Sequence, residues 1–254
     1  MTSSDLALLP LGVGDAFTAK HYSFCLALRA EERWLLVDCP HPIRKMMREG
    51  AERAGLSLDV GDIDAVVITH LHADHVSGLE GFAYFSRFVL GRRVKLYAHE
   101  DVLARMWAGS LAAGMEVLMR KDGDSYAHEP LSFEDYFDAT PLREHEPVEI
   151  GPFSVESRRT IHHVPTTALR VRAGAASIGI SADTAFDPAL IAWLSEADLV
   201  VHETNYGVHT PYESLAALPE EIRRKMRLVH YPDDFDTGES AIECLREGRL
   251  YRVR

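Results

Sequence analysis

Apolar and polar positions fall in short runs whose period keeps changing along the chain, and each run predicts an element. Residues 5–12, 22–28 and 34–38 read as strands, the last two joined by a charged turn at 29–33. Ile43, Met46, Met47, Ala51 and Ala54 recur at helical spacing over 42–54, and Gly55 stops the run. Residues 62–68 carry a β-branched apolar run and read as a buried strand. An aromatic-rich helix with Phe82, Tyr84, Phe85 and Phe88 follows over 79–90, then a short strand at 94–98. Val102, Leu103, Met106, Trp107, Leu111 and Met115 predict a helix over 101–119. Residues 122–147 are acidic and read as irregular, with one short helix near 132–138.

Strand character returns at 148–158, and 168–172 with 177–181 form a hairpin around Ala173-Gly174. Asp187-Pro188, an N-cap followed by proline, opens a helix over 187–196. A buried strand at 198–202, a mostly helical stretch at 212–226 and a strand at 228–230 come next. A helix over 237–247 and a basic strand over 248–254 complete the pattern. No repeat or linker interrupts it. The expectation is one α/β domain spanning 1–254, with helices outside two facing sheets and a helical or irregular insertion at about 100–147.

Composition narrows the partners. Apolar content of 46% and charged content of 26% suit an ordinary globular protein. Acids outnumber bases 39 to 27, for a net charge of −12, which weighs against a long nucleic acid as substrate. Three widely spaced cysteines, Cys25, Cys39 and Cys244, read as reduced core residues. With no apolar stretch of bilayer length and no basic-apolar leader, the expected location is the cytoplasm and no membrane partner is expected.

The chemistry concentrates at Thr69-His70-Leu71-His72-Ala73-Asp74-His75, directly after the buried strand. Side chains at i and i+2 of an extended segment point the same way, so His70 and His72 can grip one ion together. Asp74 and His75 follow the bend and face a second position. Imidazole nitrogen with a carboxylate oxygen suits zinc and related ions. Further candidates stand at strand ends: His162 with its neighbour His163, Asp183 and His230. His128 and His145 read as surface histidines.

Thr-His-Leu-His-Ala-Asp-His followed by Ser77-Gly78-Leu79 resembles the HxHxDH signature of the metallo-β-lactamase fold superfamily. His162-His163-Val164-Pro165, Ser181-Ala182-Asp183-Thr184 and Asp198-Leu199-Val200-Val201-His202-Glu203-Thr204 resemble segments of its RNase Z-like and small-phosphodiesterase branch. The resemblance implies a four-layer αβ/βα sandwich. It also implies two divalent ions, zinc first and manganese or iron as alternatives. His70, His72 and His162 would hold one ion, Asp74, His75 and His230 the other, with Asp183 bridging. Asp38 would support the metal loop from behind. The ions would lie roughly 3.5–4 Å apart with a bridging hydroxide that attacks phosphorus.

His202, oriented by Glu203, is the expected general acid, and Asp74 has a second task in orienting the nucleophile. Tyr206, His209 and Tyr212 are expected to line the pocket. Only about twenty residues separate His162 from Asp183, too few for the protruding arm of enzymes that process transfer RNA. The expected substrate is therefore a small or cyclic phosphodiester. A carbon-ester hydrolase (lactonase or thioesterase) and an iron-dependent oxidoreductase of the same fold are the alternatives. A homodimer through 101–119 is a further expectation.

Overall fold

The computed structural model describes residues 6–253. The first half of the chain contributes β1 (Leu6–Gly12), β2 (Cys25–Ala30), β3 (Arg33–Val37), α1 (Ile43–Arg53), β4 (Ile63–Ile68), α2 (Ala73–Val76), α3 (Leu79–Phe88), β5 (Val94–His99), α4 (Glu100–Met106), α5 (Ala112–Met115), β6 (Val117–Asp122), β7 (Ser125–Pro130) and β8 (Phe137–Leu142). The second half contributes β9 (Val148–Ile150), β10 (Phe153–Arg159), β11 (Thr167–Ala173), β12 (Ala176–Ile180), α6 (Pro188–Leu194), β13 (Leu199–Glu203), α7 (Tyr212–Ala216), α8 (Glu220–Arg223), β14 (Met226–Val229) and β15 (Tyr251–Val253).

The strands form a seven-stranded sheet in the order β15-β1-β2-β3-β4-β5-β8 and a six-stranded sheet in the order β14-β13-β12-β11-β10-β9. Strand alternation decides which face each apolar residue serves. In β1, Leu6 and Leu8 join the cluster shared with the second sheet, while Leu9 and Leu11 join the cluster under α1 and α3. β3 repeats this, with Leu35 and Val37 inward and Trp34 and Leu36 toward the helices. Strands buried on both faces read as continuous apolar runs, and both sheets are helix-covered in this way. α6 seals the far face of the second sheet with Leu190, Ile191 and Leu194. The result is the αβ/βα sandwich expected from the sequence.

Capping follows the residues. The Asp187 side chain accepts from Ala189 N, and Pro188 occupies the first turn of α6. Glu31 and Glu32 both take positive φ in the tight turn between β2 and β3.

Three stretches depart from the sequence reading. The helix expected over 101–119 ends at Met115, after a π-type turn at Trp107–Leu111, and β6 begins at Val117. The irregular segment expected over 122–147 holds β7 and then β8, which pairs parallel with β5 at the edge of the seven-stranded sheet. β6 and β7 pair only with each other and lie largely exposed, so no buried face marks them in the sequence. The helix expected over 237–247 is absent. There the backbone runs beside β14, with Leu228 N donating to Glu243 O and Leu245 N to Leu228 O, both at 2.9 Å. Those sheet-type bonds commit Glu243 O and Leu245 N to β14 in place of helical partners. The expected ends at residue 5 and at 254 lie outside the described residues.

β3 with β4, and β12 with β13 and β14, are parallel sets. Their C-terminal ends open on one rim, where an open α/β sheet normally places its ligands.

Candidate binuclear metal centre

Each candidate side chain leaves the end of a strand. His70 and His72 follow β4, Asp74 and His75 begin the single turn α2, His162 follows β10, Asp183 follows β12, and His230 follows β14. Hydrogen bonds between loops hold these ends together. Cys39 N donates to His75 O at 2.7 Å and Gly78 N to Cys39 O at 2.8 Å. A Cβ on Gly78 would lie 2.4 Å from Pro40 O, so only glycine lets the metal loop approach the β3 end this closely. Thr167 N donates to Thr69 O at 3.2 Å, tying β11 to the same loop.

The donors form two adjoining sets. His70 Nε2 lies 3.0 Å from His72 Nδ1, and His162 Nε2 lies 3.4 Å from that same nitrogen. Beside them, Asp74 Oδ2 is 3.3 Å from both His75 Nε2 and His230 Nε2. Asp183 stands between. Its Oδ2 is 3.6 Å from His70 Nε2 and 3.9 Å from His162 Nε2, while its Oδ1 is 3.3 Å from His75 Nε2 and 3.6 Å from His230 Nε2. Ligands about 2.0–2.1 Å from a tetrahedral zinc lie roughly 3.3 Å from one another, so both sets have the spacing of a metal shell. His75 Nε2 is buried without a hydrogen-bond partner. An orphaned, inward-facing ring nitrogen beside two carboxylates is what a cation would satisfy.

Ring orientation is set from behind. Asp38 is fully buried, and its carboxylate accepts from His75 Nδ1 at 2.8 Å, from Thr69 N at 2.8 Å and from Thr69 Oγ1 at 2.8–3.0 Å. Thr69 Oγ1 in turn meets His70 Nδ1 at 3.0 Å. One carboxylate thereby turns the Nε2 of both His70 and His75 toward the centre, as outer partners of metal-binding histidines do. His163 performs a similar task for His72, with its Nε2 3.0 Å from His72 Nε2. Asp38, Ala182 and His230 all take left-handed backbone angles, with φ of 62°, 50° and 55°. Such conformations are unfavourable for non-glycine residues and concentrate at functional sites.

The two sets differ electrostatically. Burial pushes His70 and His72 down, and takes His162 down to about 4. Burial also opposes protonation of His75 and His230, but carboxylates overcome it. Asp183 and Asp38 hold His75 well above the ordinary range; Asp183 and Asp74 raise His230. Asp74 and Asp183 stay ionised despite burial because His230 and His75 face them.

The expected pairing of His202 with Glu203 is not found. Successive strand residues face opposite sides, so the two side chains diverge. His202 is fully buried, its Nδ1 lies 2.7 Å from the Glu203 main-chain oxygen, and burial takes it down to about 4. A neutral, buried imidazole with no contact to the cluster is poorly placed to give up a proton. The Glu203 carboxylate meets His209 instead. Its Oε1 accepts from His209 Nδ1 at 2.8 Å and from Thr184 N at 2.7 Å. His209 also joins Asp183 and His230 in a third group with metal-ligand spacing. The alternation rule applied to His202-Glu203 would have exposed the mismatch in the sequence. His209, expected only to line the pocket, does so from an irregular loop, and nothing local marks it as the partner of Glu203. Tyr206 lines the same cavity as His209; Tyr212 instead meets Phe235 edge-on.

The family described as Anti-Pycsar protein Apyc1 matches residues 6–250. An Anti-Pycsar protein Apyc1 from Paenibacillus sp. (strain J14) is 33% identical over 261 residues, covering 98% of this chain and 99% of that one. Another, from Bacillus phage 010DV004, is 30% identical over 264 residues, covering 97% and 98%. Among solved structures, the metallo-β-lactamase fold protein YhfI from Bacillus subtilis superposes with a TM-score of 0.78 at 16% identity, covering 98% of this chain and 99% of that one. Sequence likeness over nearly the whole length and this fold agree, and the chain belongs to the Anti-Pycsar Apyc1 family.

Proposed function

We propose that this metal-dependent phosphodiesterase takes a cyclic nucleotide as its small cyclic phosphodiester and opens it at the two donor sets. The observation that carries this reading is Asp183, whose two oxygens each face a different set. A shared carboxylate between two histidine clusters suits a pair of divalent ions, zinc first and manganese or iron as alternatives. Ions held there supply Lewis acidity and lower the pKa of water from about 15.7 toward 7.

The chain's own residues do the rest. His70, His72 and His162 hold one ion, and Asp74, His75 and His230 the other. Asp74, at the edge of its set, also orients the attacking water. His209 gives its proton to the departing alkoxide. Its hydrogen bond to Glu203 raises its pKa against the effect of burial, which favours the acid form. The loop between His162 and Asp183 is taken up by the β11–β12 hairpin. That, together with the acidic net charge, favours a small substrate over transfer RNA.

Residues 1–254 act as one hydrolase domain with 100–147 as an insertion. That insertion carries exposed Val117, Met119 and Tyr126 and suits contact with a second copy through 101–119 and the hairpin beyond it. No helix among the described residues is long and apolar enough to cross a membrane. Three buried free cysteines suit the cytoplasm.

The test is hydrolysis of bis(p-nitrophenyl) phosphate and of cyclic nucleotides by zinc- or manganese-loaded protein, beside a lactone and a thioester. Turnover of the phosphodiesters alone is expected. Turnover confined to the carbon esters would overturn the reading.

A further inference from the structure

Resting on that reading, we infer that Phe17 and Tyr206 form a nucleobase-stacking subsite beside the catalytic centre. A cavity of about 410 Å³ adjoins the donor sets, and its lining includes His209 and His230 together with Phe17 and Tyr206. That volume lies in the range of small-ligand pockets. Phe17 is 92% exposed and Tyr206 is 65% exposed. Leaving a phenylalanine in water forgoes the stabilisation that burial brings, so neither ring serves the core.

Yet both rings ride on fixed backbone. Asp15, itself 4% exposed, accepts from Phe17 N at 3.0 Å. Beyond Phe17, the Asp233 carboxylate accepts from Thr18 Oγ1 at 2.6 Å and from Ala19 N at 2.8 Å. Tyr206 N donates to Asn205 Oδ1 at 2.7 Å, and its hydroxyl donates to Asp234 at 3.1 Å. Asn205 Nδ2 joins the two loops by donating to Asp15 at 3.0 Å and to His230 O at 3.1 Å. The aromatic walls are thereby registered to a residue of the centre.

A cyclic nucleotide carries its phosphate and its base at opposite ends of one ribose. With the phosphate at the donor sets, the base enters this cavity. Asp15 and Asn205 are engaged with each other and Asp233 with Thr18 and Ala19, which leaves ring faces as the readers. Recognition by faces accepts purines and pyrimidines alike and rejects substrates that lack a base, because every base has a π-face.

The experiment compares cyclic nucleotides carrying a purine or a pyrimidine with the base-free 1-deoxyribose 3′,5′-cyclic phosphate, using metal-loaded wild type, Phe17→Ala, Phe17→Leu, Phe17→Trp and Tyr206→Ala. Stacking strengths predict that each alanine variant raises KM for both nucleotides about tenfold to hundredfold. Kinetics on the base-free substrate stay unchanged. Phe17→Trp retains wild-type KM, whereas Phe17→Leu behaves like the alanine variant. Equal KM changes with and without a base, or full function of Phe17→Leu, would overturn the subsite and leave the phosphodiesterase reading standing. No hydrolysis of either substrate class by wild type would bring down that reading and the subsite together.

Discussion

The two donor sets place histidines in opposite electrostatic surroundings. His70, His72 and His162 are kept neutral by burial among other imidazoles. His75 and His230 are pushed up, against burial, because Asp183 faces both, Asp38 faces His75 and Asp74 faces His230. The difference lies in the carboxylates: Asp74 is itself a donor of the second set, and Asp38 touches His75 directly. It teaches that a cation competes with protons more strongly at the Asp74–His75–His230 half than at the other.

The largest expected effect falls on the residue the halves share. Asp183→Ala is expected to lower kcat/KM by about 10³-fold or more, since it removes charge stabilisation from both positions. Bound metal per chain, read by elemental analysis, is expected to fall below two. A fully active Asp183→Ala protein would break the two-position description. His209→Ala is expected to lower kcat by about 10²–10⁴-fold, the range for a lost general acid, while metal content stays constant. His202→Ala serves as its control, and a comparable kcat loss there would return the acid role to His202.

Glu203→Gln tests the same pair by pH. His209 is raised by Glu203, so its acid form persists above the ordinary range and activity declines as pH rises through that raised value. Without the carboxylate, the alkaline limb of the kcat profile is expected to move to lower pH. An unmoved limb would separate Glu203 from His209.

Asp38→Asn sharpens the comparison further. Asp38 touches His75 directly and His70 only through Thr69. Losing such a supporting carboxylate typically costs 10–100-fold in metal affinity, and the loss is expected chiefly at the Asp74–His75–His230 position. The smallest effect is in proton counting. Calorimetric titration in buffers of different ionisation enthalpy is expected to show protons released at that position and few at the other, with its affinity rising as pH rises. Equal release at both would erase the distinction.

Legibility in the sequence tracked how local each feature is. Strands β1 to β5 and the helix behind Asp187-Pro188 announced themselves through period and capping chemistry, because each is decided by neighbours a few residues away. β8 did not, since Asp138, Thr140 and Pro141 dilute its apolar pattern and only pairing with β5 makes it a strand. Likewise Cys244 and Leu245 look helical until β14 claims their backbone.

The sequence by itself determined the metal loop, because six consecutive residues at the end of a buried strand carry four donors in fixed relative directions. The divergence of His202 from Glu203 follows once β13 is seen to run through Glu203. Only the tertiary structure decided that Glu203 meets His209, that Asp183 divides its oxygens between two histidine sets, and that Asp38 turns two rings at once. Those contacts join strand ends far apart in the chain, and their distances depend on how two sheets pack, which no local pattern encodes.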